Sequence, residues 1–398
     1  MPRFEPFSAI RYSADVVDIQ RVVAPPYDVI SPARREHLAG SDPHNVVHID
    51  LPLDADGPSR YLAAGRTFRQ WQNDGVLRTD PEPAYYVYRM DLEHHSGNAI
   101  RSIGVLGSLE LSRPDEGHIL PHEHTTPKAK SDRLDLLRAT HANLSAIWGL
   151  SPAAGLTDLL ATPEPLATWT GSDGTRHQLG RITDPDRVAA IGAAIAREPI
   201  VIADGHHRFE TSLVYRDEQR AASDHGSAGA AEFTLAFVVE LVESELTVLP
   251  IHRLIDEMAE SVDIASVLSA SFTLERIDLD QRTVAERMDA SGALCLVLAD
   301  AAYLAIPRPG AMAGVRDLDS SRLDAALSGL GPHRLRFQHG VDNVVDAVHG
   351  RDAQAGVLLR PVRVPQIAEI ARGGERMPPK STYFHPKPST GALFRSLE

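Results

Sequence analysis

The sequence predicts an α/β protein with mixed α+β sheets, and three features predict it. The apolar run Ile200–Ala203 ends in the turn Asp204-Gly205-His206-His207-Arg208 and passes into an amphipathic stretch, Phe209–Gln219, which reads as strand, turn and helix. Two β-rich runs come earlier, Ala84–Arg89 and Ile100–Leu111, separated by the hairpin-forming His94-His95-Ser96-Gly97. Beyond His252-Arg253, helical and strand patterns alternate to about residue 371, as expected of a separate small α/β layer.

In order along the chain, the Pro-rich turn Ala24-Pro25-Pro26-Tyr27-Asp28 leads to Ser31-Pro32, a Ser cap followed by Pro just inside a helix that runs through Leu38. A second helix is predicted over Tyr61–Asp74, where Leu62, Gly65, Phe68 and Trp71 recur at three- and four-residue spacing. After the two strands, Ser131 or Asp132 caps an amphipathic helix to about His141, and Ile147–Leu150 is a short apolar strand. Residues 151–185 hold a helix near 155–162 and a strand pair around Trp169–Ile182, and Asp184-Pro185 opens an Ala-rich helix, Val188–Ala196. Residues 221–231 are small and polar and read as a mobile loop before the strands Phe233–Leu241 and Leu246–Leu249. Past Arg253 the pattern gives a helix to about Ala270, then strands near 272–277, 294–298, 302–306 and 355–359 and helices near 284–290, 318–328, 341–349 and 364–371. The tail, Met377–Lys387, mixes prolines with aromatics and is expected to pack in an extended path. The division expected is a core over 1–255, a small α/β domain over 256–360, and a C-terminal helix and tail over 361–398 that pack back on the core.

Composition narrows the function. Of 398 residues, 43 % are hydrophobic and 24 % charged, a globular balance. The net charge of −14 opposes a phosphate backbone or an anionic membrane surface, so neither nucleic acid nor membrane is an expected partner. No apolar run approaches the roughly 20 residues of a membrane helix. The single cysteine, Cys295, excludes an internal disulfide, and the start of the chain has no basic, apolar leader pattern, so a soluble cytoplasmic protein is expected. Among the 40 basic residues only four are lysines, Lys128, Lys130, Lys380 and Lys387, and they fall in two short segments. Arginine does not imitate a compact ammonium on a flexible stem, which makes both segments suspect.

The Asp204–Arg208 turn sits where ligands gather in α/β folds, at a strand's carboxyl end and a helix N-terminus. Gly205 allows close backbone approach, Arg208 can grip a phosphate through two charge-assisted bonds, and His206 and His207 can donate protons or bind metal. The bland alternative is a capped helix with two incidental histidines. The segment His122-Glu123-His124-Thr125 through Asp132-Arg133 packs histidines, an acid and basic groups at the mouth of a helix. Glu123 is a candidate general base, and Lys128, Lys130 and Arg133 are candidate phosphate clamps. A solvated charged loop is the alternative. Lys380 could contact phosphate or a substrate carboxylate, or belong to a tail that only seals the domain. The Pro25–Asp28 turn and His252-Arg253 read more as structure than as site.

Several signatures are absent. Without a Gly-Lys dipeptide there is no Walker A loop, and no Gly-x-Gly-x-x-Gly follows a strand. No Gly-x-Ser-x-Gly elbow exists, and one cysteine forbids a thiolate zinc cage. The 18 histidines keep a metal-dependent hydrolase open, with His122, His124 and Asp204 as candidate metal ligands.

Taken in order, Pro25-Pro26-Tyr27-Asp28-Val29-Ile30-Ser31, His122-Glu123-x-Thr125 with Asp132-Arg133-Leu134, Asn143-x-Ser145, Asp204–Arg208, Pro250-x-His252-Arg253 and Met377–Lys387 resemble the bacterial and archaeal family called domain of unknown function 1015. More distantly, the Asp204–Arg208 turn is similar to the phosphate-binding box of the ParB and sulfiredoxin superfamily, and Pro121-His122-Glu123 looks like its upstream box. That resemblance implies a ParB/sulfiredoxin-like core with an insertion around 134–198. By analogy with the superfamily's free serine kinase branch, Glu123 would be the base, and Asp204, His206, His207 and Arg208 would hold nucleotide phosphate and Mg²⁺. The expected function is thus Mg²⁺-dependent phosphoryl transfer between ATP or ADP and a small hydroxy compound, with free L-serine or O-phosphoserine as the substrate. Alternatives are a metal-dependent phosphohydrolase without nucleotide and a nucleotide-sensing ParB-like regulator. A homodimer is the candidate assembly.

Overall fold

The structure, a computed structural model, describes residues 1–53, 59–93, 99–121 and 127–398, with backbone alone at 99 and 127–131. It contains two compact units. The first comprises Met1–Thr247, Ala371–Gly374 and Phe384–Glu398, and the second Val248–Ile370 and Glu375–Tyr383. Both are α/β with mixed secondary structure, as the sequence predicts.

The first unit is built on a sheet that has nine strands among the described residues. Its order is Ile119–Pro121, Ile200–Asp204, Ile147–Ser151, Phe233–Glu240, Ala99–Glu110, Tyr85–Glu93, Arg176–Ile182 and Glu164–Thr170, with Phe4–Glu5 also on Ala99–Glu110. The strand Phe233–Glu240 is buried at nearly every position and runs between two neighbours, which is why its middle, Leu235–Val239, is a continuous apolar run rather than an alternation. The sheet is mixed: Ile200–Asp204 pairs parallel with Ile119–Pro121 and antiparallel with Ile147–Ser151.

One sheet face carries Tyr85, Val87, Val105, Ile147, Ile200, Ile202 and Val238 against Ile191 and Ile195 of the helix Pro185–Ile195 and Phe209 of the helix His206–Ala222. A second cluster joins the helices Arg60–Asn73 and Pro127–Thr140 through Phe68, Trp71 and Leu136. Gly65 permits that approach, since a Cβ there would stand 2.1 Å from the Ala139 carbonyl oxygen. The terminal segment is part of this unit: Thr390 bridges to Ala24 and Phe394 to Ile10. Arg395 donates to Ser108 Oγ at 2.7 Å and to the carbonyls of Phe233 and Ala230 at 3.0 and 2.8 Å. Burial pushes its guanidinium down to about 10.

The second unit is a six-stranded antiparallel sheet ordered Phe272–Ile277, Ala302–Pro307, Leu294–Val297, Ala355–Leu358, His252–Asp256 and Arg334–Gln338. Successive residues of Leu294–Val297 point to opposite faces. Leu294 and Leu296 meet Leu268 and Leu323 of the helices Ile264–Ser269 and Asp319–Leu327. Cys295 and Val297 meet Met288 and Val344 of Val284–Ser291 and Val341–His349.

Three local readings are corrected. The strand His252–Asp256 extends through residues 254–256, where a helix running to Ala270 was expected, because these residues lie buried between two antiparallel neighbours, and the helix is confined to Ile264–Ser269. The strand Arg334–Gln338 was not expected from its polar sequence, which suits its place at a sheet edge. Residues 221–231 are not one loop: the preceding helix reaches Ala222, and Gly229–Glu232 forms a short 3₁₀ turn. The hairpin residues 94–97 lie outside the described residues. Among the described residues, no helix is long and apolar enough to cross a membrane.

Candidate functional site

The strand Ile200–Asp204 ends in a register shift opposite Trp148, and the chain reverses into the helix His206–Ala222 through a single residue, Gly205. Gly205 has φ 88, the left-handed region that only glycine enters without strain. The turn is therefore shorter than the sequence suggests, and His206, His207 and Arg208 form the first helical turn, where N–H groups have no carbonyl of their own helix to bond. The neighbouring strand Ile119–Pro121 ends at the same edge, with Pro121 opposite Ile202.

Asp204 and Arg208 are joined by a 2.6 Å ion pair. Arg208 also donates from Nη1 to the Ala146 carbonyl, while its Nε is buried with no hydrogen-bond partner among the described residues. On the other side of Asp204 stands a residue from the far end of the chain: Lys387 Nζ lies 2.7 Å from Asp204 Oδ1 and 3.3 Å from Asp28 Oδ2. The lysine side chain is 8 % exposed. Burial alone would lower its pKa, but Asp204 and Asp28 hold it well above the usual lysine value.

A second charged group lies beside the first. Arg133 Nη1 is 3.0 Å from Asp50 Oδ1, Nη2 is 2.6 Å from Asp132 Oδ2, and the guanidinium covers the Tyr27 ring at 4.3 Å. Burial pushes the Asp50 carboxyl up against the pull of Arg133 and Arg208. The Tyr27 hydroxyl is likewise raised by burial, against the same two arginines. Burial would lower Arg133, and Asp50 and Asp132 hold it up instead.

Two clefts meet at Arg208. One, of about 420 Å³, is lined by Asp50, Arg133, Asn143, Ser145 and Thr211, and Thr211 Oγ1 is buried without a partner. The other, of about 510 Å³, is lined by Tyr88, Trp148, Asp204, Lys387 and Thr390, and Trp148 Nε1 and Thr390 Oγ1 are also buried without partners. Arg208 lines both. Buried donors and acceptors of this kind normally find partners, and among the described residues four that lack one, Arg208 Nε, Thr211 Oγ1, Trp148 Nε1 and Thr390 Oγ1, belong to residues lining these two clefts.

Of the residues singled out in the sequence, Asp204, Gly205, His206, His207 and Arg208 come together, and Arg133 lines a cleft shared with Arg208. Its guanidinium is already engaged by Asp50 and Asp132. Lys128 and Lys130 lie in the first turns of the helix Pro127–Thr140. Glu123, His122 and His124 lie outside the described residues. Lys380 belongs to the second unit and has left-handed backbone, φ 59. Sequence reasoning passed over Asp28 and Lys387 as site residues and had no signal for Asp50. For Lys387 the signal existed, in the scarcity of lysine.

Among the described residues, no group of three or more His, Cys, Asp or Glu is placed to hold a metal. Asp204 and Asp28 nevertheless present carboxylate oxygens to one point, the position of Lys387 Nζ. That point is taken by the lysine ammonium, so the two carboxylates already hold a cation of the chain's own, and they do not by themselves make a Mg²⁺ site.

No curated protein matches the chain. Among solved structures, a free serine kinase variant in complex with AMP superposes with a TM-score of 0.40 at 11 % identity, covering 71 % of this chain and 87 % of that one. A conserved hypothetical protein from Pyrococcus furiosus gives 0.39 at 12 % identity over 75 % and 97 %. C-terminally truncated SbnI from Staphylococcus aureus gives 0.40 at 11 % over 70 % and 82 %. Likeness at this level carries no argument about activity. The family profile described as "Protein of unknown function (DUF1015)" matches residues 4–324, and in agreement with the motifs running from Pro25 to Arg253 the chain belongs to that family.

Proposed function

We propose that the chain is a Mg²⁺-dependent phosphotransferase that moves a phosphoryl group between ATP or ADP and a small hydroxy compound, with free L-serine or O-phosphoserine as the substrate. The observation that carries this reading is Arg208, which lines two clefts at once and keeps a buried, unpartnered Nε between them. Phosphoryl transfer brings two substrates together over one set of positive charge, and it is mostly positioning and charge stabilisation.

In this reading Arg208, with the helix N-terminus behind it, binds phosphate oxygens. Asp204 orients the guanidinium through the 2.6 Å ion pair. The two clefts hold the nucleotide and the acceptor on either side. Mg²⁺, for which the sequence offers Asp204, His122 and His124 as ligands, would supply charge neutralisation at the transferred phosphate. Glu123, by the resemblance to the free serine kinase branch, takes the proton from the acceptor hydroxyl. His206 and His207 lie in the helical turn that also carries Arg208, within reach of proton-transfer roles.

The test is ³¹P NMR of the purified protein with Mg²⁺, L-serine and ATP or ADP, and separately with O-phosphoserine. Phosphoserine formation, or phosphate release or transfer from phosphoserine, is expected, and Arg208→Ala and Glu123→Gln are expected to abolish it while circular dichroism stays native. No phosphorylated or dephosphorylated product in either assay removes the substrate assignment.

A further inference from the structure

The sheet of the first unit borders a further hollow, lined by none of the residues that line the two clefts at Arg208. It lies on the face carrying Tyr85 and Val87, whereas Tyr88, one residue on, points to the opposite face and the Lys387 cleft. Its floor is a row across four strands: Ile103 stands opposite Arg89, Arg89 opposite Gln178, and Gln178 opposite Thr168. Paired side chains of this kind stand about 5 Å apart on one face. The space is about 570 Å³, and its remaining lining is largely apolar, including Val87, Leu160, Pro163 and Ala167.

The walls are built. Arg187, on the helix Pro185–Ile195, donates to the carbonyls of Leu159 at 2.9 Å and Thr162 at 3.5 Å, and also to that of Ala161. It thereby fixes a loop in which Thr162 has left-handed backbone, φ 47. Gly180 lets the sheet press against this loop, since a Cβ there would stand 2.8 Å from both the Glu164 carbonyl oxygen and Pro163 Cγ.

Within these walls stands the half-buried Arg89. Among the described residues its buried Nε has no hydrogen-bond partner, and no carboxylate lies within ion-pair distance of its guanidinium. The deeply buried arginines are engaged: Arg133 has Asp50, Arg216 donates to the Leu111 carbonyl at 2.7 Å, Arg253 donates to the Ile251 carbonyl at 2.7 Å, and Arg395 has three partners. Glu245 feels the Arg89 charge, but its Oε2 accepts from Thr157 Oγ1 at 2.9 Å.

We infer that this hollow is a ligand site, separate from the phosphotransfer site, for a small organic monocarboxylate with a hydrocarbon body. A planar guanidinium pairs with a carboxylate through two parallel bonds. The Gln178 amide stands next to it in the row with the Thr168 hydroxyl one strand beyond, and the apolar lining takes the hydrocarbon. One arginine matches one negative charge, which a phosphate dianion or a nucleotide exceeds.

The experiment is calorimetric titration of the full chain with sodium hexanoate and with phenylacetate, using inorganic phosphate as competitor. Saturable binding is expected. Arg89→Met weakens it about tenfold or more through loss of a charge-assisted pair, Gln178→Leu weakens it less, and Arg208→Ala leaves it unchanged. The inference is overturned if neither acid binds up to about 10 mM, if Arg89→Met binds like the wild type, if Arg208→Ala abolishes binding, or if phosphate displaces the acids. Should Arg89→Met fail to fold, unchanged binding in Gln178→Leu decides against the site. Arg208→Ala separates this outcome from the failure of the proposed function.

Discussion

Replacing Lys387 with Met removes the ammonium shared by Asp204 and Asp28 and keeps most of the apolar stem. Losing one member of a fully buried ion pair costs about 3–5 kcal/mol, because the other charge stays buried and uncompensated. Here the carboxylates keep some water, with side-chain exposures of 24 % for Asp204 and 30 % for Asp28, and Asp204 retains Arg208 at 2.6 Å. The expected loss is therefore smaller, about 2 kcal/mol, which for a unit of this size lowers Tm by about 4–8 °C. The Lys387 pKa is raised on folding, so this stabilisation is fully present below the unfolded lysine value and is lost only in strong alkali. At pH 7 all of it is at stake. Scanning calorimetry of wild type and Lys387→Met measures it. Added Mg²⁺ should raise the Tm of the variant more than that of the wild type, since the point between the carboxylates is then open to a cation. A variant within about 0.5 kcal/mol of wild type, or one whose response to Mg²⁺ equals that of the wild type, refutes the reasoning.

Gly205→Ala places a Cβ 3.0 Å from Arg208 Nε on backbone at φ 88. The left-handed conformation alone costs about 1–2 kcal/mol, so denaturant midpoint and turnover should both fall, turnover further because Arg208 is displaced; unchanged turnover contradicts the role given to the turn. His177, buried against Trp169 and 2.9 Å from the Tyr88 hydroxyl, is pushed down to about 4 by burial. The unfolded chain takes up a proton first, near pH 6.5, so stability falls as pH drops from there towards 4, by about 3 kcal/mol in all. Tm profiles of wild type and His177→Phe should diverge in that window, and parallel profiles would sink the assignment.

Much of the site was legible because its signals are local. A four-residue apolar strand, a glycine and an amphipathic run place Asp204 and Arg208 without tertiary information. The extent of the turn was overread because nothing in the sequence says that Gly205 reverses the chain alone. Lys380 and Lys387 looked alike as rare lysines in one segment, and only the fold sets them apart: 183 residues separate Lys387 from Asp204, and their 2.7 Å contact has no sequence period. Asp50 is silent for the same reason, since it meets Arg133 across 83 positions. Residues 254–256 were misread because Leu254 and Ile255 ahead of a polar stretch satisfy a helical pattern as well as a strand, and pairing on both sides decides between them.

The central claim is that Arg208 holds a nucleotide phosphate. Calorimetric titration of ADP in the presence of Mg²⁺, compared between wild type and Arg208→Ala, tests it most directly. Saturable binding to the wild type, weakened about tenfold or more in the variant through loss of a charge-assisted pair, is the result predicted. Equal binding to both proteins, or none to the wild type, contradicts the account.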